Sequence, residues 1–163
     1  MHSSEEFPLR LCRFPEGDGP QWELVDEFYG RLLANRNATL PNEVARIDSN
    51  TVICRVSLNS AEDARHIKEN APVYRLVPNG PLCVATGLVF VTLKDGFTLE
   101  QGCDSLKETG FVIDKQSPAG GAWLRHESGS ISAALRCYLE LGQLEAIRSV
   151  EPQFLVRRSK KKL

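Results

Sequence analysis

The chain has 163 residues and a mass of 18.1 kDa, room for one domain or two small lobes sharing a core. Hydrophobic residues make up 42% and charged residues 25%, a composition that excludes wholesale disorder. The net charge of −1 conceals five basic residues in the last seven positions (Arg157, Arg158, Lys160, Lys161 and Lys162), so the body has 15 basic against 21 acidic residues, a net −6, which is not the basic face of a nucleic-acid-binding domain.

No segment suits a bilayer or a secretory leader. The longest apolar stretch, Leu82–Leu93, contains Thr and Gly and is too short to span a membrane as a helix. The start, Met1-His-Ser-Ser-Glu-Glu-Phe-Pro, is acidic and lacks a hydrophobic leader core. Five cysteines (Cys12, Cys54, Cys83, Cys103 and Cys137) show no CxxC spacing. That argues against a zinc site or a disulfide framework, and for reduced thiols in a cytoplasmic setting.

In chain order, residues 1–20 have three prolines and no period, and predict an irregular N-terminal arm. Gln21–Asn35 places Trp22, Val25, Phe28 or Tyr29, and Leu32 or Leu33 at helical spacing, predicting a helix with Gly30 as its weak point. Thr51–Leu58 alternates and is β-branched, so it predicts a strand. Asn59 or Ser60 can cap a helix over Ala61–Asn70, and Val73–Val77 follows as a short extended piece. Pro78-Asn79-Gly80-Pro81 signals a turn.

Gly87–Leu93 is a near-continuous apolar run, as expected of a central strand. Thr98 stands three residues before Gln101, the spacing of a capping box. The helix it opens should bury Leu99, Cys103 and Leu106 and end at Gly110 in the left-handed region. Phe111–Asp114 and Ala122–His126 predict strands joined by a hairpin loop over Ser117–Gly121. Ser130 can cap a second helix carrying Ile131, Leu135, Tyr138 and Leu139 on one face, with Gly142 at its end. Ala146–Val150 predicts a last strand, stopped by Glu151-Pro152.

The order from Leu88 to Val150 is β-α-β-β-α-β. It predicts an α+β, ferredoxin-like fold, an antiparallel sheet with two helices on one face, preceded by a smaller strand-helix-strand segment. The expected division is an arm over 1–20, the preceding segment over 21–80, the ferredoxin-like domain over 81–155 and a basic tail over 156–163. The open face of such a sheet must meet solvent, the N-terminal half or a partner. The stretches from Thr51 to Tyr74 and from Gly87 to Ile113 also share a strand-turn-helix-strand order, a faint internal echo.

Catalytic chemistry finds little support. His2, His66 and His126 have no Ser, Cys or second His at ligand or triad spacing. No Walker loop, Rossmann fingerprint or paired zinc-ligand motif occurs, and Gly120-Gly121 is followed by a strand rather than a helix N-terminus. The expectation is a non-enzymatic protein without cofactor or metal. RNA-recognition motifs share the βαββαβ order, but Trp123 alone in GGAWLRHE does not supply their exposed aromatics, and the acidic body opposes RNA. Any nucleic-acid contact would be weak and confined to the basic tail.

From about Pro72 to Leu155 the chain resembles the N-terminal prodomain of bacterial subtilisin-like serine proteases. PVYRLVPNGPLCVATGLVFVTLKDG is similar to the short "PVY" strand and "TG-x-(I/V)-F-V" first strand of that family. LKETGFVIDKQSPAGGAWLRH is similar to its helix, second strand, loop and third strand, and ALRCYLELGQLEAIRSVEPQFL to its second helix and closing strand. The resemblance covers about half the chain.

It implies an inhibitor or folding chaperone whose sheet face packs on two protease surface helices. A closing-strand carboxylate would cap their N-termini, where free N–H groups and the dipole favour an anion. Glu151 matches that cap; Gln153 stands where the family has Asp or Asn, which puts the second cap in doubt. Phe154 and Leu155 would lead into a tail that pairs with the substrate cleft by β-augmentation, with Val156, Arg157, Arg158 and Ser159 at the four subsites before the scissile bond. No protease domain follows within the chain, which leaves three readings: an inhibitor or chaperone acting in trans on a subtilisin-like partner, a prodomain-like adaptor that binds another partner, or a prodomain separated from its enzyme. The alternative is a regulatory or protein-interaction module, an adaptor subunit or a homodimer, without protease inhibition.

Overall fold

The computed structural model describes residues 7–15, 19–35, 39–56 and 71–157. The predicted helix over 61–70, together with His2, His66, Arg158, Ser159 and the lysine run, lies outside the described residues. The elements are β1 (Arg10–Cys12), β2 (Gln21–Leu32), β3 (Glu43–Arg46), β4 (Thr51–Arg55), β5 (Ala71–Val77) and β6 (Leu82–Leu93). After these come α1 (Leu99–Glu108), β7 (Phe111–Gln116), β8 (Ala122–His126), α2 (Ile131–Leu141) and β9 (Ile147–Val156).

These strands form one nine-stranded sheet, antiparallel in every pairing, with only two short helices among the described residues. This overturns the predicted small ferredoxin-like α+β fold with a separate segment before it. The long strands join what the sequence suggested were two units. β6 pairs with β5 at Leu82–Val84 and with β8 at Val89–Val91, while β9 flanks its other edge from Cys83 to Leu93.

A bulge makes the change of neighbour possible. Between Ala85 and Val89 β6 advances four residues while β9 advances two. Gly87 lies in the bulge at φ +85°, and a Cβ there would fall 3.2 Å from the Ile131 Cα. The glycine thus supplies both the backbone angle and the room for the start of α2.

The segment Gln21–Leu32 is strand β2, not the predicted helix. It pairs with β5 on one side and with β1 and then β4 on the other. Its register slips between Leu24 and Tyr29, five residues against two of β5. That slip resets the alternation and gives the apolar residues their helix-like spacing. At its far end Gly30 approaches β6 closely, since a Cβ there would lie 2.6 Å from Val84 Cγ1.

Residues 7–15 of the arm pack against the sheet rather than run irregularly. Beyond β1 the backbone of Phe14 exchanges two hydrogen bonds with Val150, at 3.0 and 3.1 Å. Strands β1, β2, β5, β6 and β9 therefore form a hydrogen-bonded ring that returns to the arm. The last strand does not stop at Pro152 as predicted but runs to Val156. Val150 N–H points outward to Phe14, so Pro152, two residues on, also aims its nitrogen at the outer edge. Its missing N–H costs no bond to β6.

Besides a small cluster of Tyr29, Leu33, Val52 and Cys54, two apolar clusters lie on opposite faces. The larger gathers Trp22, Tyr74, Cys83, Val89, Val91, Leu124 and Val150 with Leu106 of α1 and with Leu135, Tyr138 and Leu141 of α2. The other holds Ile53, Val73 and Val84 with partly buried Leu155 and Phe28. The capping signals behave as read: Thr98 and Gln101 form a capping box, Ser130 caps α2, and Gly110 has φ +87°; of Leu99, Cys103 and Leu106, expected to be buried, only Leu106 is. Leu139, however, is 42% exposed, so the α2 stripe is narrower than predicted.

Two buried tyrosines bolt the arm to the core. Tyr138 Oη accepts from Cys12 N–H at 3.0 Å and donates to Cys12 C=O at 2.8 Å, and Tyr74 Oη donates to Pro8 C=O at 2.7 Å. Burial raises both phenols well above their usual range and pushes the Cys83 thiol up to about 12. In the unfolded chain these groups titrate near 9 and 10. Above about pH 9 the unfolded state therefore sheds protons the native state keeps, and stability falls as pH rises. Urea midpoints should hold from pH 6 to 8 and drop by pH 10.5; a flat profile over that span would contradict the buried placement.

Candidate docking face

β9, β6, β8 and β7 lie side by side in that order. Both helices cover the face carrying Val89, Val91, Leu124 and Val150. Residues alternate in a strand, so the opposite face carries Phe90, Thr92, Trp123, Arg125, Ser149 and Glu151. Register aligns them: Trp123 lies across from Phe90, and Phe90 from Glu151. Thr92 and Ser149 face each other and their hydroxyls share a hydrogen bond.

Phe90 and Trp123 have ring centroids 4.7 Å apart, tilted by 56°. Both are partly buried, and neither belongs to a core cluster. An ion pair flanks them on each side. Glu151 Oε2 is 3.5 Å from Arg13 Nε, with the two side chains 43% and 40% exposed. Arg125 Nε is 3.8 Å from Asp114 Oδ1. The surface is thus an apolar centre between two neutralised charge pairs, the make-up of a protein-docking patch.

The predicted site residues do not share one environment. Glu151 lies on this face, which neither α1 nor α2 covers. Gln153 accepts from Thr86 Oγ1 at 2.8 Å, and the same hydroxyl accepts from Leu88 N–H at 3.1 Å. Its amide is committed to the β6 bulge. Phe154 stacks on Trp22 at 4.6 Å and meets the Tyr74 edge at 5.9 Å. Leu155 packs with Ile53, Val73 and Val84. These two residues belong to the core and not to a free tail. Val156 ends β9 opposite Cys83 and is exposed, as is Arg157. Arg158 and Ser159 lie outside the described residues.

Sequence reasoning missed Arg13, Phe90 and Arg125. The alternation in Leu88-Val89-Phe90-Val91-Thr92 could have separated Phe90 from its buried neighbours, but the run reads as uniformly apolar. Nothing local joins Arg13 to Glu151, because their meeting depends on the Phe14–Val150 pair.

His126 accounts for its own surroundings: Nδ1 meets Ser128 Oγ at 2.7 Å, and the ring packs edge-on to Phe111. Among the described residues no three His, Cys, Asp or Glu side chains converge as metal ligands, and no helix is long and apolar enough to cross a membrane. Scans of protein-family models, curated proteins and solved structures return no match to this chain.

Proposed function

We propose that the chain is a non-enzymatic inhibitor or folding chaperone that acts in trans on a subtilisin-like serine protease. The sheet face opposite α1 and α2 would dock on two protease surface helices, and the chain beyond β9 would enter the substrate cleft. One observation carries the reading: Glu151 lies on a face that no helix among the described residues covers, beside the Phe90–Trp123 pair, on the strand that leads directly into Val156 and Arg157. A carboxylate there can meet helix N-termini while the aromatic pair supplies apolar contact. Phe154 and Leu155 anchor the strand, so the segment available to a cleft starts at Val156.

The competing reading is a second copy of the chain docking through the same aromatic pair. Steady-state inhibition of a purified bacterial subtilisin, with the chain's intact mass followed over time, separates the two. Submicromolar inhibition with slow cleavage in the tail is the expected result. A stable homodimer that leaves the protease fully active would sink the inhibitor reading. Glu151→Ala should weaken inhibition by about 1–2 kcal/mol, because docking would take the carboxylate and its helix ends out of water. An unchanged inhibition constant would remove Glu151 from the interface.

A further inference from the structure

We propose that Arg13 is a built-in competitor for Glu151, an autoinhibitory contact that lowers the affinity of the docking face; the inference rests on the protease-docking reading above. The guanidinium already pairs with one oxygen of the carboxylate that docking would require, with Arg13 Nε 3.5 Å from Glu151 Oε2. A helix N-terminus carries only partial positive charge, so it competes for this carboxylate with a full positive charge.

The backbone makes the competition permanent. Arg13 lies between two clamped neighbours: Cys12 is bonded through both backbone groups to Tyr138 Oη, and Phe14 exchanges two hydrogen bonds with Val150. A Cβ on Gly142 would fall 2.4 Å from the Phe14 ring, which shows how tightly that ring is seated. Arg13 cannot leave with its strand. Its exposed side chain can only swing aside, and it stays within reach of the same carboxylate after docking. The pair is therefore a local, high-concentration competition for the one carboxylate.

The Arg125–Asp114 pair supplies an internal comparison. It borders the same aromatic centre from the other side but does not engage Glu151. Neutralising Arg125 should leave the Glu151 contact unaffected.

Inhibition of a purified bacterial subtilisin by four full-length variants tests the proposal. Arg13→Gln should tighten inhibition about two- to fivefold, the range an exposed ion pair is worth, with an unchanged melting temperature. In a Glu151→Gln background the same change should have no effect, and Arg125→Gln should not tighten. Arg13→Gln inhibiting equally or more weakly, while wild type and Glu151→Gln still differ, overturns the competitor alone and makes Arg13 a neutral or contributing contact. Tightening that persists without Glu151 overturns it too, since the charge would then act elsewhere. No inhibition by any variant overturns the protease reading and the competitor with it.

Discussion

Gly121→Ala should be the most damaging single substitution in the second half of the chain, lowering stability by roughly 3 kcal/mol or more. Gly121 closes the loop before β8 at φ +86°, a region that costs a non-glycine residue about 1–3 kcal/mol. A Cβ there would also lie 2.4 Å from the Val91 carbonyl oxygen and 3.1 Å from Phe90 Cζ. Val91 is a fully buried residue of a strand hydrogen-bonded on both edges, so its carbonyl cannot retreat as a side chain could. At about 2–4 °C per kcal/mol for this size, thermal melting should fall by roughly 6–12 °C. The neighbour gives the control: Gly120 has φ +94° but open space around it. Gly120→Ala should show only the conformational cost. Equal melting temperatures for the two variants would mean that the close approach to Val91 carries no weight.

Two truncations should behave very differently although they differ by two residues. A chain ending at Leu155 loses only exposed Val156 and the residues beyond it. It should fold with nearly wild-type stability and no longer inhibit the protease. A chain ending at Gln153 also loses the Phe154 ring stacked on Trp22 and the Leu155 side chain packed on Val84. Large core truncations cost about 2–5 kcal/mol each. Even at the low end, because both residues are only partly buried, the sum is a large share of a typical stability of about 5–15 kcal/mol. Far-UV and near-UV circular dichroism with denaturant melts would separate the two. Full inhibition by the chain ending at Leu155 would end the tail mechanism, while a wild-type melt for the chain ending at Gln153 would deny Phe154 and Leu155 their place in the core.

The sequence was most readable where structure is set locally. Thr98 with Gln101, Ser130, Gly110 and the Ser117–Gly121 loop each act within a few residues, and they delimit the second-half elements. Strand β2 was misread because its slip between Leu24 and Tyr29 breaks the two-residue period and leaves spacings of three and four. Its Trp, Val, Phe and Tyr content was the contrary signal, since such residues favour strands. The fold class failed for a different reason. The extra length of β6 and β9, Leu82–Ala85 and Phe154–Val156, joins both halves into one sheet. Pro152 concealed the length of β9, because only the outward direction of its nitrogen makes a proline tolerable there. Of the candidate face, Glu151 was named from the resemblance, whereas Arg13, brought beside it across most of the chain, carries no local signal.

The hydrogen-bonded return of the arm onto β9 also sets a clock. Cys12 and Tyr138 are 126 residues apart, and the Phe14–Val150 pair spans still more chain. At about 5–20 residues per second, a ribosome needs roughly 7–27 s to make the stretch between those partners. Throughout that interval Leu11 and Trp22 can pair with each other and with β5, but they and Phe7 lack the α2 and β9 side chains that complete their burial in the finished core. The first residues synthesised are thus among the last to find their places, and the emerging chain is most prone to aggregate just before β9 appears.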